Sequence, residues 1–298
     1  MSWRIVLILK PCRLSLKNNQ LIYSPNDEFG NETKIPLEDI SSIIIETEQT
    51  TITSRLLSEI AENNISIITT NSSHTPNGIF LPYMQYYKQT EIAFLQQEWT
   101  EPFKKKLWQK IIQQKILNSS YVIKGEDKDL YKHLNNLSKN VLSGDTTNIE
   151  AQAAKKYWEV FYPNFRRNSN TKVNSALNYG YSILRSIIAK NLSARGFVGC
   201  FGVHHCNKDN PFNLADDIIE PFRAFVDYRI KNIFLIDSND DSLTPVEKQK
   251  IIEIMFFEVS YDKQNYSILY TIELFVENLI NISRTKDLKK LTLPEFPK

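Results

Sequence analysis

Two acidic residues follow a pair of histidines in the second half of the chain. Asp217 and Glu220 stand three positions apart in the run LADDIIEPFR, shortly after His204 and His205. In a helix, three residues make nearly one turn, so both carboxylates would face the same way. Carboxylates with a nearby imidazole are suitable ligands for a divalent metal such as Mg²⁺ or Mn²⁺. Arg223 lies three residues after Glu220, so spacing alone supports an ion pair equally well.

A third acid, Glu150, opens a predicted helix whose apolar face carries alanines and aromatic residues. An acid in the first turn complements the helix dipole, and that structural role is the more common one. His205 lies in the glycine-flanked stretch GCFGVHHC, where a single histidine is more often a hydrogen-bonded structural residue than a ligand. Neither residue alone therefore indicates a metal site.

Basic and aromatic residues are mixed in two segments. Residues 103–115, FKKKLWQKIIQQK, carry five lysines around Trp108, and Arg166 and Arg167 lie in a polar loop. This mixture suits contacts to a phosphate backbone together with base stacking. For any one segment, a solvated helix face is the more common explanation.

The bulk composition excludes several classes of protein. Of the 298 residues, 42% are hydrophobic and 23% are charged, as in soluble globular proteins. The net charge of +2 is nearly balanced, so binding to nucleic acid would have to come from local basic patches. Three scattered cysteines form neither a disulfide framework nor a zinc ribbon, so we expect a reduced, cytoplasmic setting. The chain has no apolar run of eighteen residues, so no membrane span is predicted.

The elements that must position these residues change in character near residue 84. Residues 1–84 contain short β-branched or alternating runs such as Ile40–Glu46, together with one helical segment. Residues 85–298 have helical spacing nearly throughout. The predicted fold is therefore α+β, with a β-sandwich-like domain over 1–84 and a larger all-α domain over 85–298. Predicted helices that carry or follow the candidate residues are Ile149–Phe161, Asn174–Arg195, Leu214–Phe234 and Tyr266–Arg284.

Four segments together resemble the signature motifs of the CRISPR-associated integrases, the Cas-one family. Residues 196–205, GFVGCFGVHH, resemble its glycine-rich stretch ending in histidine, and residues 217–223 resemble its segment of two acids followed by Pro-Phe-Arg. Residues 149–158 resemble its isoleucine–glutamate motif, and residues 174–181 its Asn-x-x-Leu-Asn-Tyr-Gly-Tyr motif. The departures, at 151–152 and 198–199, fall on turn positions rather than ligand positions. The motifs occur in the same order as in the family, along nearly the whole chain. Their amino-acid sequences are most similar to those of family members from type II systems.

The resemblance implies a metal-dependent DNA endonuclease and integrase of CRISPR adaptation. Glu150, His205 and Glu220 would bind Mg²⁺ or Mn²⁺, with Asp217 as an additional ligand or a supporting acid. The metal would activate a DNA 3′-hydroxyl or water and neutralise charge on the scissile phosphate. Protospacer 3′-OH ends would then be joined to the CRISPR repeat by transesterification. Predicted DNA contacts are Arg166, Arg167, Tyr179 and Arg223.

The resemblance also implies partners. Residues 1–84 would form a homodimer, residues 85–298 would hold the catalytic site, and two dimers would flank a dimer of the small companion protein Cas-two in a heterohexamer. Other adaptation proteins of type II systems are further expected partners. Two rival functions are a non-catalytic DNA-binding scaffold, whose binding would depend on salt but not on metal, and a zinc hydrolase. The zinc hydrolase fits poorly, because such a site would need more His or Cys ligands.

Overall fold

A computed structural model describes residues 4–27, 30–72, 76–83, 86–162, 166–167, 171–233 and 242–297. The chain divides into two compact units, Met1–Gln89 and Thr90–Lys298. Sheets occupy the first unit and helices dominate the second, which confirms the predicted α+β class at that level. Within the described part of the chain, no helix has the length and apolarity to cross a membrane.

Among its described residues, the first unit contains two four-stranded sheets and the helix α1. One sheet has the strand order β1-β5-β7-β8, in which β8 is antiparallel and the other three strands are parallel. The other has the order β4-β3-β2-β6. The elements are β1 (Arg4–Ile8), β2 (Cys12–Lys17), β3 (Gln20–Pro25), β4 (Thr33–Pro36), β5 (Ile40–Ile45), β6 (Thr50–Ile52), α1 (Ser54–Glu62), β7 (Ser66–Thr70) and β8 (Pro76–Phe80).

The first unit has a core of its own. Leu14, Ile43, Leu56 and Ile67 come from both sheets and from α1, and all four lie in one buried cluster. Strand β5 is buried at all six positions, as expected for a strand covered on both faces. The sandwich arrangement of the two sheets stays a prediction.

The second unit is built around the long helix α3. Thr100 caps its start by accepting a hydrogen bond from the Phe103 N–H, and Pro102 occupies the first turn, where a proline costs no helical hydrogen bond. The helices are α2 (Gln89–Gln97), α3 (Glu101–Ile123), α4 (Lys128–Lys139), α5 (Ile149–Phe161), α6 (Lys172–Ala194), α7 (Asn213–Ile218), α8 (Arg223–Ile233), α9 (Pro245–Ile252) and α10 (Ile268–Thr285).

The prediction that residues 85–298 are all helical is wrong in one place. Strands β9 (Glu258–Tyr261) and β10 (Gln264–Ser267) form an antiparallel hairpin just before α10. Asp262 and Lys263 form its two-residue turn with φ angles of 49° and 66°. Two positive φ angles match the twist of a tight hairpin, but Asp-Lys is a weak sequence signal for such a turn.

The predicted helix Leu214–Phe234 is also interrupted, and Phe234 lies outside the described residues. Helix α7 ends at Ile218, residues Glu220–Phe222 form a 3₁₀ turn, and α8 starts at Arg223. Pro221 has no backbone N–H to continue the α-helical ladder, and so the chain tightens there. As a result Asp217 and Glu220 do not share one regular helix face.

Candidate metal and DNA site

Lys115 of α3 lies between two of the predicted ligands. Its Nζ atom makes an ion pair with Glu150 Oε1 and lies 2.5 Å from Glu220 Oε2. Glu150 belongs to the first turn of α5 and Glu220 to the 3₁₀ turn, so three separate elements meet at this ammonium group. The structure therefore brings Glu150 and Glu220 together on a single cation.

Glu220 is a buried carboxylate with a second cation beside it. Arg223 Nε donates to Glu220 Oε1 at 2.9 Å, so the ion pair considered from the sequence is present. Burial would raise the pKa of Glu220, but the charges of Lys115 and Arg223 lower it to about 2. Glu220 is therefore ionised at neutral pH.

Both oxygens of Glu220 face a cation. Oε1 accepts a hydrogen bond from Arg223 Nε, and Oε2 lies 2.5 Å from Lys115 Nζ. Buried carboxylate oxygens usually have a donor or a cation nearby, because leaving one bare is costly. Any further cation at Oε2 would have to share this oxygen with Lys115.

Neighbouring backbone contacts fix both carboxylates. Asp145 accepts hydrogen bonds from the Ile149 N–H at 2.8 Å and from the Glu150 N–H at 3.0 Å, and so it caps α5. With these amides occupied by Asp145, the Glu150 side chain extends to Lys115. Asn118, one turn after Lys115, donates to the Pro221 carbonyl at 2.8 Å and holds the 3₁₀ turn against α3.

The second group of predicted residues is the pair His205 and Asp217. Asp217 is fully buried and accepts hydrogen bonds from three consecutive amides, Val203, His204 and His205, at 2.5, 3.0 and 3.1 Å. The His205 Nδ1 atom lies 2.7 Å from Asp217 Oδ1. A proton on Nδ1 donates to this carboxylate, and the neutral ring then carries its lone pair on Nε2.

The charges around His205 favour its protonated form. Its hydrogen bond to Asp217 raises the pKa of the ring, burial opposes the rise, and the charges of Asp217, Glu220 and Asp216 add to it. Glu220 is therefore within electrostatic reach of the imidazole. A divalent cation bound at Nε2 would have to compete with this proton.

The loop of residues 202–205 leaves no space for a side chain at Gly202. A Cβ atom on Gly202 would come within 2.3 Å of the His205 carbonyl oxygen and 2.7 Å of Asp217 Oδ2. The loop can wrap around Asp217 only because residue 202 is glycine. Cys200 and Cys206 flank this loop and are exposed.

Trp108 packs against the histidine loop, residues 202–205. Its indole stacks on the His204 ring at 4.3 Å with an interplanar angle of 3°, and it meets the His205 ring edge-on at 5.8 Å. Trp108 is only 2% exposed and precedes Lys115 on α3 by two helical turns. One face of α3 therefore carries both the platform for the histidines and the cation between the carboxylates.

The carboxylate pair Glu150 and Glu220 and the pair His205 and Asp217 do not form one metal-ligand cluster in this structure. Within the described residues, no three His, Cys, Asp or Glu side chains meet in a way that could hold a metal ion. Glu150 and Glu220 converge at Lys115, whereas His205 is held by Asp217. The carboxylate pair and a histidine ring nitrogen suit Mg²⁺ or Mn²⁺ in their chemistry.

A cavity of about 250 Å³ adjoins the carboxylate pair. Trp158, Arg167, Tyr181 and Arg223 are among the residues that line it. The guanidinium groups of Arg167 and Arg223 lie 5.5 and 4.7 Å from the centre of the Tyr181 ring. The wall therefore combines cationic and aromatic groups, which suits a nucleotide.

The Asn-x-x-Leu-Asn-Tyr-Gly-Tyr segment of α6 holds this wall in place. Arg167 donates to the side-chain oxygens of Asn174 at 3.0 Å and Asn178 at 2.7 Å. Tyr181 and Tyr157 both donate to the buried Asp227 carboxylate, Tyr157 at 2.8 Å. The conformation of the cavity thus depends on a polar network that the sequence patterns do not reveal.

Two of the predicted DNA contacts lie elsewhere. Arg166 is exposed and belongs to no helix or strand. Tyr179 is 2% exposed and has the Lys248 ammonium group 5.8 Å from its ring. Contact between Tyr179 and DNA would require this ring to become exposed.

Lys115 is the main functional candidate that the sequence interpretation placed wrongly. The sequence pattern groups it with the lysines of a solvated or DNA-binding patch, although it follows Trp108 by seven residues and Ile111 by four. That spacing continues the buried face of α3. A lysine in register with buried residues is a signal that it pairs with an internal acid.

Comparisons with known proteins identify the family of the chain. A family model described as CRISPR associated protein Cas1 matches residues 5–236. The CRISPR-associated endonuclease Cas1 of Neisseria meningitidis serogroup C (strain 8013) is 41% identical over 298 residues, covering 99% of this chain and 97% of that protein.

Two solved structures share the fold. A casposase bound to its integration product matches with a TM-score of 0.74 and 20% identity, over 96% of this chain and 92% of the casposase. A chain of a Cas6-RT-Cas1–Cas2 complex matches with a TM-score of 0.73 and 18% identity, over 97% of this chain and 36% of that one. The family resemblance of the four sequence motifs is confirmed. Since the family model spans most of the chain and the Neisseria relative aligns along nearly all of it, this protein belongs to the CRISPR-associated Cas1 family.

Proposed function

We propose that this protein is a divalent-metal-dependent DNA endonuclease and integrase of CRISPR adaptation. The observation that carries the proposal is the meeting of Glu150 and Glu220, from separate elements, at one cation beside a cavity with cationic and aromatic walls. Family membership and the endonuclease name of the Neisseria relative support it.

Glu150, Glu220 and His205 would hold Mg²⁺ or Mn²⁺ in this proposal. The bound metal would supply activation of a 3′-hydroxyl or water and neutralisation of phosphate charge. Asp217 positions His205 by accepting from its ring and from the loop amides, and its full burial suits this supporting role. Arg223 and Arg167 would place phosphate oxygens of the DNA strand in the cavity.

We also propose the partners. The Met1–Gln89 unit would form a homodimer, and two dimers would flank a Cas2 dimer. Likeness to a chain of a Cas1–Cas2 complex supports Cas2 as the partner. Light scattering of the protein alone and with Cas2 measures both assemblies.

Strand joining tests the proposed activity. The wild-type protein, Cas2 and Mn²⁺ are expected to join a short duplex to a plasmid that carries CRISPR repeats. Glu150→Gln, Glu220→Gln and His205→Ala should each lower joining about 100-fold or more, since each removes a ligand of the essential ion. Glu253→Gln, a change at an exposed acid of the same unit, should leave joining unchanged.

Two results would contradict the proposal. Full joining by Glu220→Gln or Glu150→Gln would show that the substituted carboxylate is not required for the reaction. DNA binding that weakens with salt but is indifferent to metal, without any joining, would favour the non-catalytic scaffold.

A further inference from the structure

The Lys115 ammonium group occupies the position toward which two carboxylates converge. Its Nζ atom contacts an oxygen of Glu150 and lies 2.5 Å from Oε2 of Glu220. A divalent ion bound to both carboxylates would sit at about 2.0–2.6 Å from the same oxygens. Two cations cannot approach one oxygen pair so closely without strong mutual repulsion.

The charges at this point are balanced before any metal is present. Glu150 and Glu220 carry two negative charges, and Lys115 and Arg223 carry two positive charges. The Lys115 ammonium group contacts both carboxylates, so it offsets charge that a metal ion would otherwise neutralise.

The two cations of Glu220 differ in how firmly they are held. Arg223 makes an aligned hydrogen bond to Oε1 at 2.9 Å, and its guanidinium packs 4.7 Å from the Tyr181 ring. Lys115 reaches Oε2 through one ammonium group at the end of a flexible four-carbon side chain. Exchange of a cation at this site is therefore easier at Lys115.

Resting on the function proposed above, we propose that Lys115 is an internal counterion that competes with the divalent metal for Glu150 and Glu220. In the metal-free protein its ammonium group holds the two carboxylates together against their repulsion. Metal binding displaces this group from both carboxylates. Lys115 thereby keeps the site assembled but lowers its affinity for metal.

Binding of Mn²⁺ to the full chain without DNA tests this role, measured by electron paramagnetic resonance. Lys115→Met keeps an unbranched side chain of similar shape, one atom shorter, and removes its charge, so we expect Mn²⁺ to bind about tenfold more tightly than to wild type. Lys104→Met is the matched control, since Lys104 is on the same helix and paired with Glu101. Its affinity should equal that of wild type.

Thermal unfolding supplies a second readout. In EDTA, Lys115→Met should unfold at a lower temperature than wild type, because Glu150 and Glu220 then face each other without the cation that lies between them. Saturating Mn²⁺ should raise its melting temperature more than that of wild type. If Lys115→Met does not fold in EDTA, Lys115→Gln provides the same comparison with a polar side chain.

Unchanged or weaker Mn²⁺ binding by Lys115→Met and Lys115→Gln, with normal binding by wild type, would overturn the competition and leave the proposed metal site intact. No Mn²⁺ binding by any variant or by wild type would overturn both. Tighter binding by the two Lys115 variants alone would support the proposal.

Discussion

At the scale of single residues, the buried acids of the candidate site differ in the groups that they contact. Glu220 and Asp217 are three residues apart, yet one faces cations and the other faces amides and an imidazole. Of the two interpretations of the sequence, the ion pair with Arg223 is present and the metal site stays a prediction. In the proposed site, Glu220 would pair with Arg223 and bind the metal as well.

Asp227 gives a prediction about pH. Burial raises the pKa of its carboxyl to about 6, although hydrogen bonds from Tyr181 and Tyr157 act against the rise. A pKa that is higher in the folded than in the unfolded chain stabilises the fold below about pH 4, and this stabilisation is lost as the pH rises through 6. Between pH 4 and pH 7 the free energy of unfolding of wild type should fall by about 2 kcal/mol relative to Asp227→Asn.

Urea unfolding of both proteins at each pH measures this difference. Comparison with Asp227→Asn cancels the other carboxyl groups that titrate in the same range. A difference that stays constant from pH 4 to pH 7 would mean that the Asp227 carboxyl has an ordinary pKa.

At the scale of elements, α3 organises the site. Trp108 contacts the histidine loop, Lys115 contacts α5 and the 3₁₀ turn, and Asn118 holds the carbonyl of Pro221. A single rigid helix therefore sets the spacing between the predicted ligands.

The cap of α5 gives a second prediction. Asp145→Ala leaves the Ile149 and Glu150 amides without their side-chain acceptor, and we expect it to lower the free energy of unfolding by about 1–2 kcal/mol. Because α5 then frays at Glu150, strand joining should fall about tenfold more than stability explains.

Urea unfolding and a joining assay at a temperature where the variant is fully folded separate the two effects. Asp145→Asn keeps one acceptor for two amides, since each Asp145 oxygen accepts from a different N–H, and it should recover part of both. Normal joining by a destabilised Asp145→Ala would show that Glu150 is positioned by other contacts.

Elements with strong local signals were predictable. The helix Ile149–Phe161 is found with its predicted bounds, and the turn at Asn18 and Asn19 has the two positive φ angles expected of a tight hairpin. The break at Pro221 was missed because apolar residues keep helical spacing on both sides of it. Strands β4 and β6 are three or four residues long and too short for a periodic pattern.

The site was less predictable than the elements. Pairing of Lys115 with Glu150 joins residues 35 positions apart, and pairing of Tyr157 with Asp227 joins residues 70 apart. No local pattern encodes such contacts, since they depend on tertiary packing. The family motifs identified the acids and the histidine, but not the cations and tyrosines between which they lie.

At the scale of the whole molecule, the chain forms two compact units. All members of the buried cluster that contains Leu14 and Ile43 belong to Met1–Gln89. The candidate site lies entirely within Thr90–Lys298. A defect in the first core should therefore act on that unit first.

Leu14→Ala gives the third prediction. Leu14 is fully buried, so its truncation should destabilise the Met1–Gln89 unit by about 3 kcal/mol. Hydrogen exchange measured by mass spectrometry should show faster exchange in β2 and β3 and unchanged protection in α3. Equal loss of protection in α3 would show that the two units unfold together.

The distribution of thiols has a practical consequence. Burial raises the pKa of the Cys12 thiol, whereas Cys200 and Cys206 are exposed on either side of the histidine loop. A maleimide dye or nitroxide applied to the native protein should therefore label the loop at one or both ends and spare the β-rich unit. The wild-type chain thus carries its own attachment points for a spectroscopic probe at the place where metal and DNA are proposed to bind.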